Sequence, residues 1–457
     1  MAQAFFGGVH PHDMKAATNE KAIEQLAPPA VVVIPMSMHF GAPCTPLVKA
    51  GDHVKVGQKI GEFHGLGAPI HASVSGTVKA VEPRPYSMGG NITSVVIEND
   101  MQDEVSEEVQ APADPNALSV EEMVEIVKNA GIVGMGGATF PTHVKITSGI
   151  GKVNTVIING AECEPYITGD HRTMLERPEE IIGGAKFLAK MFGVDKVVIG
   201  VEDNKRNGID AMNKVIAEKK APVVVEPLRC RYPQGGEKQL CQAITGRQVP
   251  PGGLPADIGC AVFNINTTCA IYRALTTGMP VVRKIVTVSG SGVVEPKNLE
   301  CPIGTPVSNL LDACGGLKDG TYKLIAGGPM MGMAQYTADI SVAKGTGAIL
   351  AFCENEEKTV ENPQCIRCGK CVSVCPMHLE PLFMYQYASK GMVEELNDAH
   401  IMDCMECGAC SYICPARMHL THMFKTGKQL VKDKAAADRA AAEAKKKAEE
   451  AKEAAAK

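Results

Sequence analysis

Nowhere in the 457 residues do apolar side chains run together for the roughly 18 positions that a hydrocarbon core demands. A membrane-spanning segment is therefore not expected. The first stretch, MAQAFFGGVHPHDMK, lacks the cationic segment and long apolar run of an export leader, so secretion is not expected either. A dense basic stripe is also missing. With 46 Lys and Arg against 51 Asp and Glu, the chain carries a net charge of −5, and little drives the counterion release on which nucleic-acid binding depends. Nucleic acid is excluded as an expected partner. Without an export signal, the 17 cysteines read as reduced thiols and metal ligands rather than disulfides. The length predicts two to four domains, on the prior of about 150 residues per domain.

What is present is a multidomain α+β pattern. From Val31 to about Asn99, short apolar alternations are broken by glycine and proline turns, as in VKAGDHVKVGQKIGEF and SVSGTVKAV. This predicts a small all-β unit, placed within residues 1–110. It resembles the barrel-sandwich fold of lipoyl and biotinyl carriers, which hold a modifiable lysine on a hairpin between two similar halves. Here that hairpin, HGLGAPIHASVSG (64–76), contains no lysine. A docking or structural use is expected instead of a carrier use. Residues 101–117, acidic and interrupted by prolines, have the composition of a linker.

A new domain, residues 117–282, opens with Ser119 and, three residues on, Glu122, a capping-box start for a helix ending at Gly131. The β-branched runs VNTVIING (153–160) and DKVVIGVED (195–203), separated by a helical pattern, predict a parallel α/β sheet. Residues 283–350 place strands around an amphipathic VSNLLDACG stretch and look like a soluble-ligand-binding β-grasp insert. The tail, 431–457, is nearly pure Ala, Glu and Lys beyond Lys434 and predicts a solvated helix or frayed end.

The most specific signal lies in residues 355–430. Cys365, Cys368, Cys371 and Cys375, followed by Pro376, spell C-x2-C-x2-C-x3-C-P, and Cys404, Cys407, Cys410, Cys414 and Pro415 repeat it. Three thiolates at intervals of three converge on one iron–sulfur cubane, while the fourth ligates the neighbouring one. Cys375 is thus expected to serve the second motif's cluster and Cys414 the first's. Structural zinc is disfavoured, since it needs only four thiolates per site, in pairs set far apart. The segment between the motifs contains MVEELNDAHIM and reads as helical, so a helical two-cluster ferredoxin-like module is expected.

The stretch GIVGMGGATFPTHVK (131–145) crowds glycines where backbone amides can approach phosphate oxygens, with a lysine downstream. By itself it could be an ordinary turn. It resembles the G-R-G-G-A-G-F-P-T-G-x-K loop of the flavin- and NADH-binding subunit of respiratory complex I; NGAECEPY (159–166), GGEKQL (235–240) and FNINTT (263–268) resemble that family's later segments. Met135, Thr139 and Ala161 depart from that pattern, standing for an arginine, a glycine and an aspartate.

The order of modules resembles the C component of the Rnf electron-transport complex. That resemblance implies FMN, NAD(H) and two [4Fe-4S] clusters as cofactors, and an oxidoreductase subunit exchanging electrons between NAD(H) and partner subunits, with ferredoxin further along and ion movement coupled. It implies a peripheral position on the cytoplasmic face of the membrane. It places Gly134, Gly136, Gly137 and Lys145 at the FMN phosphate, and Asn159, Glu162, Gly236, Glu237 and Asn264 along the flavin. Phe140 and Glu164 would face the nicotinamide nucleotide. Glu162 and Glu164 could instead be solvated acids at a strand end. Two other readings stay open: a cobalamin reductase, whose similar modules come in another order, and an iron–sulfur adaptor with no catalysis.

Overall fold

The computed structural model describes residues 5–354 and 360–455. They form two compact units, one of residues 10–354 and one of residues 5–9 with 360–455.

In the first unit, the all-β portion consists of two antiparallel sheets. One orders Val31–Pro35, Asn91–Asn99, Gly76–Pro85 and His53–Val54; the other orders Thr45–Pro46, Lys59–Glu62 and Ile70–His71. Their inward residues alternate along the strands, so that Val32, Ile34, Ile60, Ile70, Val95 and Ile97 are buried. Residues 101–117 do not hang free as their linker-like composition suggests. Val105 bridges Val56, and Lys55 pairs with Glu104 at 2.8 Å and Glu107 at 2.5 Å. Tertiary pairing thus fastens an acidic segment along the sheet edge.

The capping box forms as expected: the Ser119 hydroxyl accepts from the Glu122 N–H at 3.2 Å, and Glu122 accepts from the Ser119 N–H at 2.7 Å. The helix Val120–Asn129 buries Met123 and Val127. Beyond it, four strands pair in the order Val223–Leu228, Val197–Glu202, Thr155–Gly160 and Cys260–Asn264, all parallel. The apolar core runs unbroken from the β-sandwich into this α/β layer, joining Val32 and Ile97 to Val156 and Ile199. Separate cores are what chain length predicts. The merger comes from loops that cross between modules: the Phe40 N–H donates to the Thr139 carbonyl at 3.0 Å, and the buried Lys344 donates to the Pro69 and Gly131 carbonyls at 2.7 Å each.

A six-stranded mixed sheet completes this unit, in the order Glu24–Gln25, Lys297–Pro302, Arg283–Ser289, Ala348–Cys353, Thr321–Ala326, Met333–Gln335. The helix Val307–Ala313 packs Leu310 and Leu311 into its own small core. The Glu24–Gln25 strand pairs with Lys297–Pro302, far along the sequence, where nothing local forecasts it.

The second unit is helical. The helix Leu420–Ala455 is 36 residues long, about 54 Å at the standard rise. Its start is amphipathic: Leu420, Phe424 and Val431 pack with Met384, Leu396 and Ile401. Past Val431 its described side chains are exposed, as the Ala, Glu and Lys composition predicts. Phe5–Val9 belongs here rather than with the β-sandwich that follows it in sequence. The Gly8 N–H donates to the Val374 carbonyl at 2.8 Å, and the Phe6 ring stacks on His378 with centroids 4.4 Å apart.

Candidate functional site

Parallel strands leave their carboxyl ends open for ligands, and the residues singled out in the α/β domain gather there. Asn159 is the penultimate residue of the strand Thr155–Gly160 and stands beside Asn264, its partner in register at the end of Cys260–Asn264. The Asn159 side-chain amide donates to the Gly235 carbonyl at 2.8 Å, tying the strand end to Gly236, which precedes the helix Glu237–Thr245. Asn264 caps the next helix by accepting from the Asn266 N–H at 2.8 Å. Its amide also donates to Asp170 at 2.8 Å and lies against Gly136.

The glycine loop is closed on itself and pinned from outside. The Gly134 N–H donates to the Phe140 carbonyl at 2.9 Å, and the Met135 N–H to the Thr267 hydroxyl at 2.9 Å. Thr139, where the resembled loop has glycine, adopts the left-handed conformation with φ of 53°. At Gly137 a side chain would meet open space, whereas at Gly136 a Cβ would come within 2.7 Å of the Asn264 amide nitrogen. Phe140 lies 6.0 Å from Phe40, an exposed ring of the β-sandwich. Lys145, on the helix Thr142–Gly149, donates to Glu237 at 2.7 Å and to the Val262 carbonyl at 3.0 Å.

The two remaining acids diverge from this group, and neither is the solvated strand-end acid considered as an alternative. Glu162 is buried beneath the helix Gly169–Glu176, accepting from the Asp170 N–H at 2.6 Å, with the Lys15 ammonium 3.8 Å away. Burial raises its carboxyl above the usual carboxylate range. Glu164 accepts from the Met330 and Met331 N–H groups at 3.1 and 3.0 Å, and burial pushes its carboxyl up to about 7.

Sequence reasoning missed the supports beneath these residues. Lys15 is buried and donates to the carbonyls of Glu162 and Glu164 at 2.9 Å each, and to that of Ile167, gathering the bend that follows the strand. Lys205 does likewise at the Ala161 carbonyl, 2.8 Å away. Asp170 holds both Asn264 and Asn266. Lys284, lowered by burial to about 8, reaches toward the Met135 carbonyl at 3.4 Å. Lys15 has no signal in its neighbours, because its acceptors lie about 150 positions away. Asp170 could have been suspected as an acid in the first turn of a helix just after a strand end.

In the second unit the eight motif cysteines surround two cavities. One is lined by Cys375, Cys404, Cys407 and Cys410 with Leu379, Met384 and Phe424; the other by Cys365, Cys368, Cys371 and Cys414 with Leu382, Tyr385 and Met418. Each cavity takes three thiols from one motif and the last thiol of the other. Among the described residues no group of His, Cys, Asp or Glu is placed to hold a single metal ion. Local geometry repeats between motifs: Arg367 and Glu406 are left-handed, with φ of 55° and 56°, and donate their N–H groups to the Cys365 and Cys404 sulfurs at 3.4 Å. The short helices Lys370–Ser373 and Ala409–Ile413 end just before the cysteine–proline steps. Cys365 and Cys368 are exposed, while Cys375, Cys407 and Cys410 are buried. Burial pushes the Cys404 and Cys407 thiols up, a cost that a positive centre binding them as thiolates would offset.

Residues 3–102 match the RnfC barrel sandwich hybrid domain, and 127–273 match the Nuo51 FMN-binding domain. Residues 285–334 match the SLBB domain and 357–415 the 4Fe-4S dicluster domain. Among curated proteins, the chain is 45% identical over 401 residues to the C component of the Na(+)-translocating ferredoxin:NAD(+) oxidoreductase complex of Acetobacterium woodii, covering 87% of this chain and 90% of that protein. It is 43% identical over 402 residues to the C component of the proton-translocating ferredoxin:NAD(+) oxidoreductase complex of Clostridium ljungdahlii, covering 88% of each. It is 41% identical over 379 residues to the C component of the ion-translocating oxidoreductase complex of Rhodobacter capsulatus, covering 82% of this chain and 73% of that protein.

Proposed function

Because the chain belongs to the RnfC family, the C components of Rnf-type ion-translocating oxidoreductase complexes, we propose that it exchanges electrons between NAD(H) and a bound FMN and relays them through two [4Fe-4S] clusters. It is an electron-transfer subunit of such a complex, with an FMN-binding domain and a 4Fe-4S dicluster domain. We propose further that NAD(H) binds here, that the clusters number two, that each motif lends its last thiol to the other's cluster, and that ferredoxin lies further along the path.

FMN, when bound, supplies the exchange between two-electron hydride chemistry and one-electron transfer. The chain supplies position. Gly136 and Gly137 would present backbone amides to the phosphate, Gly134 would hold the loop in shape through its bond to the Phe140 carbonyl, and Lys145 would add charge beside Glu237. Asn159, Gly236 and Asn264 would line the ring, and Phe140 and Glu164 would meet the nucleotide. Glu162, interior and already engaged, acts by fixing the bend that carries Glu164. The open space beside Gly137 and the buried Gln234 side-chain nitrogen, without a hydrogen-bond partner in the loop before Gly235, suit a ligand in this place. The four-thiol lining of each cavity suits a cubane.

The observation that carries the reading is the meeting of the glycine loop, Lys145, Asn159, Glu237 and Asn264 at one end of the parallel sheet. Among the described residues no helix is long and apolar enough to cross a membrane. We therefore place the chain as a peripheral subunit, on the cytoplasmic face where NAD(H) is found. Anaerobic purification with its native neighbours, followed by flavin, iron and subunit analysis and by addition of NADH, tests all of this. Flavin and iron that bleach with NADH, in a preparation recovered with membranes, are expected. A chain that never retains flavin would overturn it.

A further inference from the structure

Glu164 lies in the α/β domain, but what holds its carboxylate comes from the six-stranded sheet. The turn Gly327–Gly332 joins the strands Thr321–Ala326 and Met333–Gln335, and its consecutive Met330 and Met331 N–H groups reach Glu164 at 3.1 and 3.0 Å. The Tyr232 hydroxyl stands at 3.5 Å. A Cβ at Gly328 would lie 2.2 Å from a Glu164 carboxylate oxygen, so a side chain there would drive the carboxylate and the turn apart, whichever of the two moves. Two aligned backbone amides fix the plane of a carboxylate as a single flexible side chain does not, and they spend no side-chain entropy in doing so.

We infer that the Gly327–Gly332 turn is a positioning element for nucleotide binding: its Met330 and Met331 amides orient Glu164 so that the carboxylate's one remaining acceptor position faces a hydrogen-bond donor of the dinucleotide, a ribose hydroxyl or the carboxamide N–H. This rests on the proposed role of Glu164 at the nicotinamide nucleotide. A carboxylate has about four acceptor positions, and the two amides and Tyr232 leave one side for a ligand. The β-grasp portion thereby acquires a task in the site itself, acting through Glu164 rather than touching the nucleotide.

The test uses the full chain with its flavin and clusters, and NADH oxidation with ferricyanide. Gly328→Ala pushes the turn from the carboxylate and should raise the KM for NADH about tenfold, the size of one lost charge-assisted hydrogen bond. Its kcat, flavin content and iron content should stay at the wild-type level. Glu164→Gln should raise KM as well, and the double variant should be no worse than Glu164→Gln alone. Glu164→Asp, too short to reach both amides, should reproduce the Gly328→Ala defect and serves if that protein fails to fold. A wild-type KM in Gly328→Ala, multiplicative effects in the double variant, or a wild-type KM in Glu164→Asp would overturn the inference and leave the flavin reading standing. A wild-type chain that binds flavin poorly or ignores NADH would overturn both.

Discussion

The ammonium of Lys145 sits 2.7 Å from the carboxylate of Glu237, which opens the helix Glu237–Thr245. The pair spans the sheet end where the glycine loop and Asn264 also lie. With a second bond to the Val262 carbonyl, Lys145 keeps one of its three N–H groups for a ligand. Lys145→Ala should therefore weaken FMN binding by about tenfold without emptying the site, since the amide cradle remains. Glu237→Gln should leave affinity within about threefold, because a neutral partner frees the ammonium for phosphate while one contact is weakened. Quenching of FMN fluorescence on titration measures both, and a larger loss in Glu237→Gln would reverse the assigned roles.

Neighbouring glycines in the loop should respond differently. Gly137→Val places a side chain in open space, so the protein should fold with full iron content yet fail to retain flavin. Gly136→Ala drives a Cβ against the Asn264 amide and should cost about 1–3 kcal/mol of stability through overpacking. Flavin content beside the thermal midpoint separates the two. Full flavin in folded Gly137→Val would mean that the loop is an ordinary turn.

Anaerobic reconstitution should yield about eight iron and eight acid-labile sulfide per chain, four for each cubane. Cys375→Ser should disturb the cluster at Cys404, Cys407 and Cys410, and Cys414→Ser the one at Cys365, Cys368 and Cys371, as the cavity linings suggest. Electron paramagnetic resonance of the reduced variants distinguishes the clusters. If Cys375→Ser alters only the Cys365–Cys371 cluster, the crossed assignment is wrong.

Protonation of Glu164 should leave a mark on stability. Its carboxyl is held at about 7 in the folded chain against an ordinary 4.5, chiefly by burial. Between those values the unfolded chain binds fewer protons than the folded one, so stability falls as pH rises from about 4.5 to about 7. Glu164→Gln should flatten that fall. Glu162, raised as well and close to Lys15, is present in both proteins and cancels in the comparison. Urea midpoints across this range, parallel in the two proteins, would show that Glu164 titrates normally.

The hairpin 64–76 should carry no lipoyl or biotinyl group, since it offers no lysine for the amide bond. Intact mass and peptide mapping settle this, and an increment localised to that hairpin would revive a carrier role.

The sequence by itself determined whatever is written in short-range chemistry. The cysteine–proline spacings, the Ser119–Glu122 cap and the β-branched runs at 153–160 and 195–203 each act within a few residues, so their geometry follows from local sterics and hydrogen bonding. Tertiary structure alone decided which distant groups meet. Lys15 gathers carbonyls about 150 positions away, Phe5–Val9 joins the cysteine-rich unit, Glu24–Gln25 completes a sheet by pairing with Leu299 and Glu300, and Met330 with Met331 grips Glu164. A backbone N–H or a lone lysine has no sequence signature of its own. Its role appears only when folding buries an opposing acceptor, which must then find a partner wherever the chain brings one.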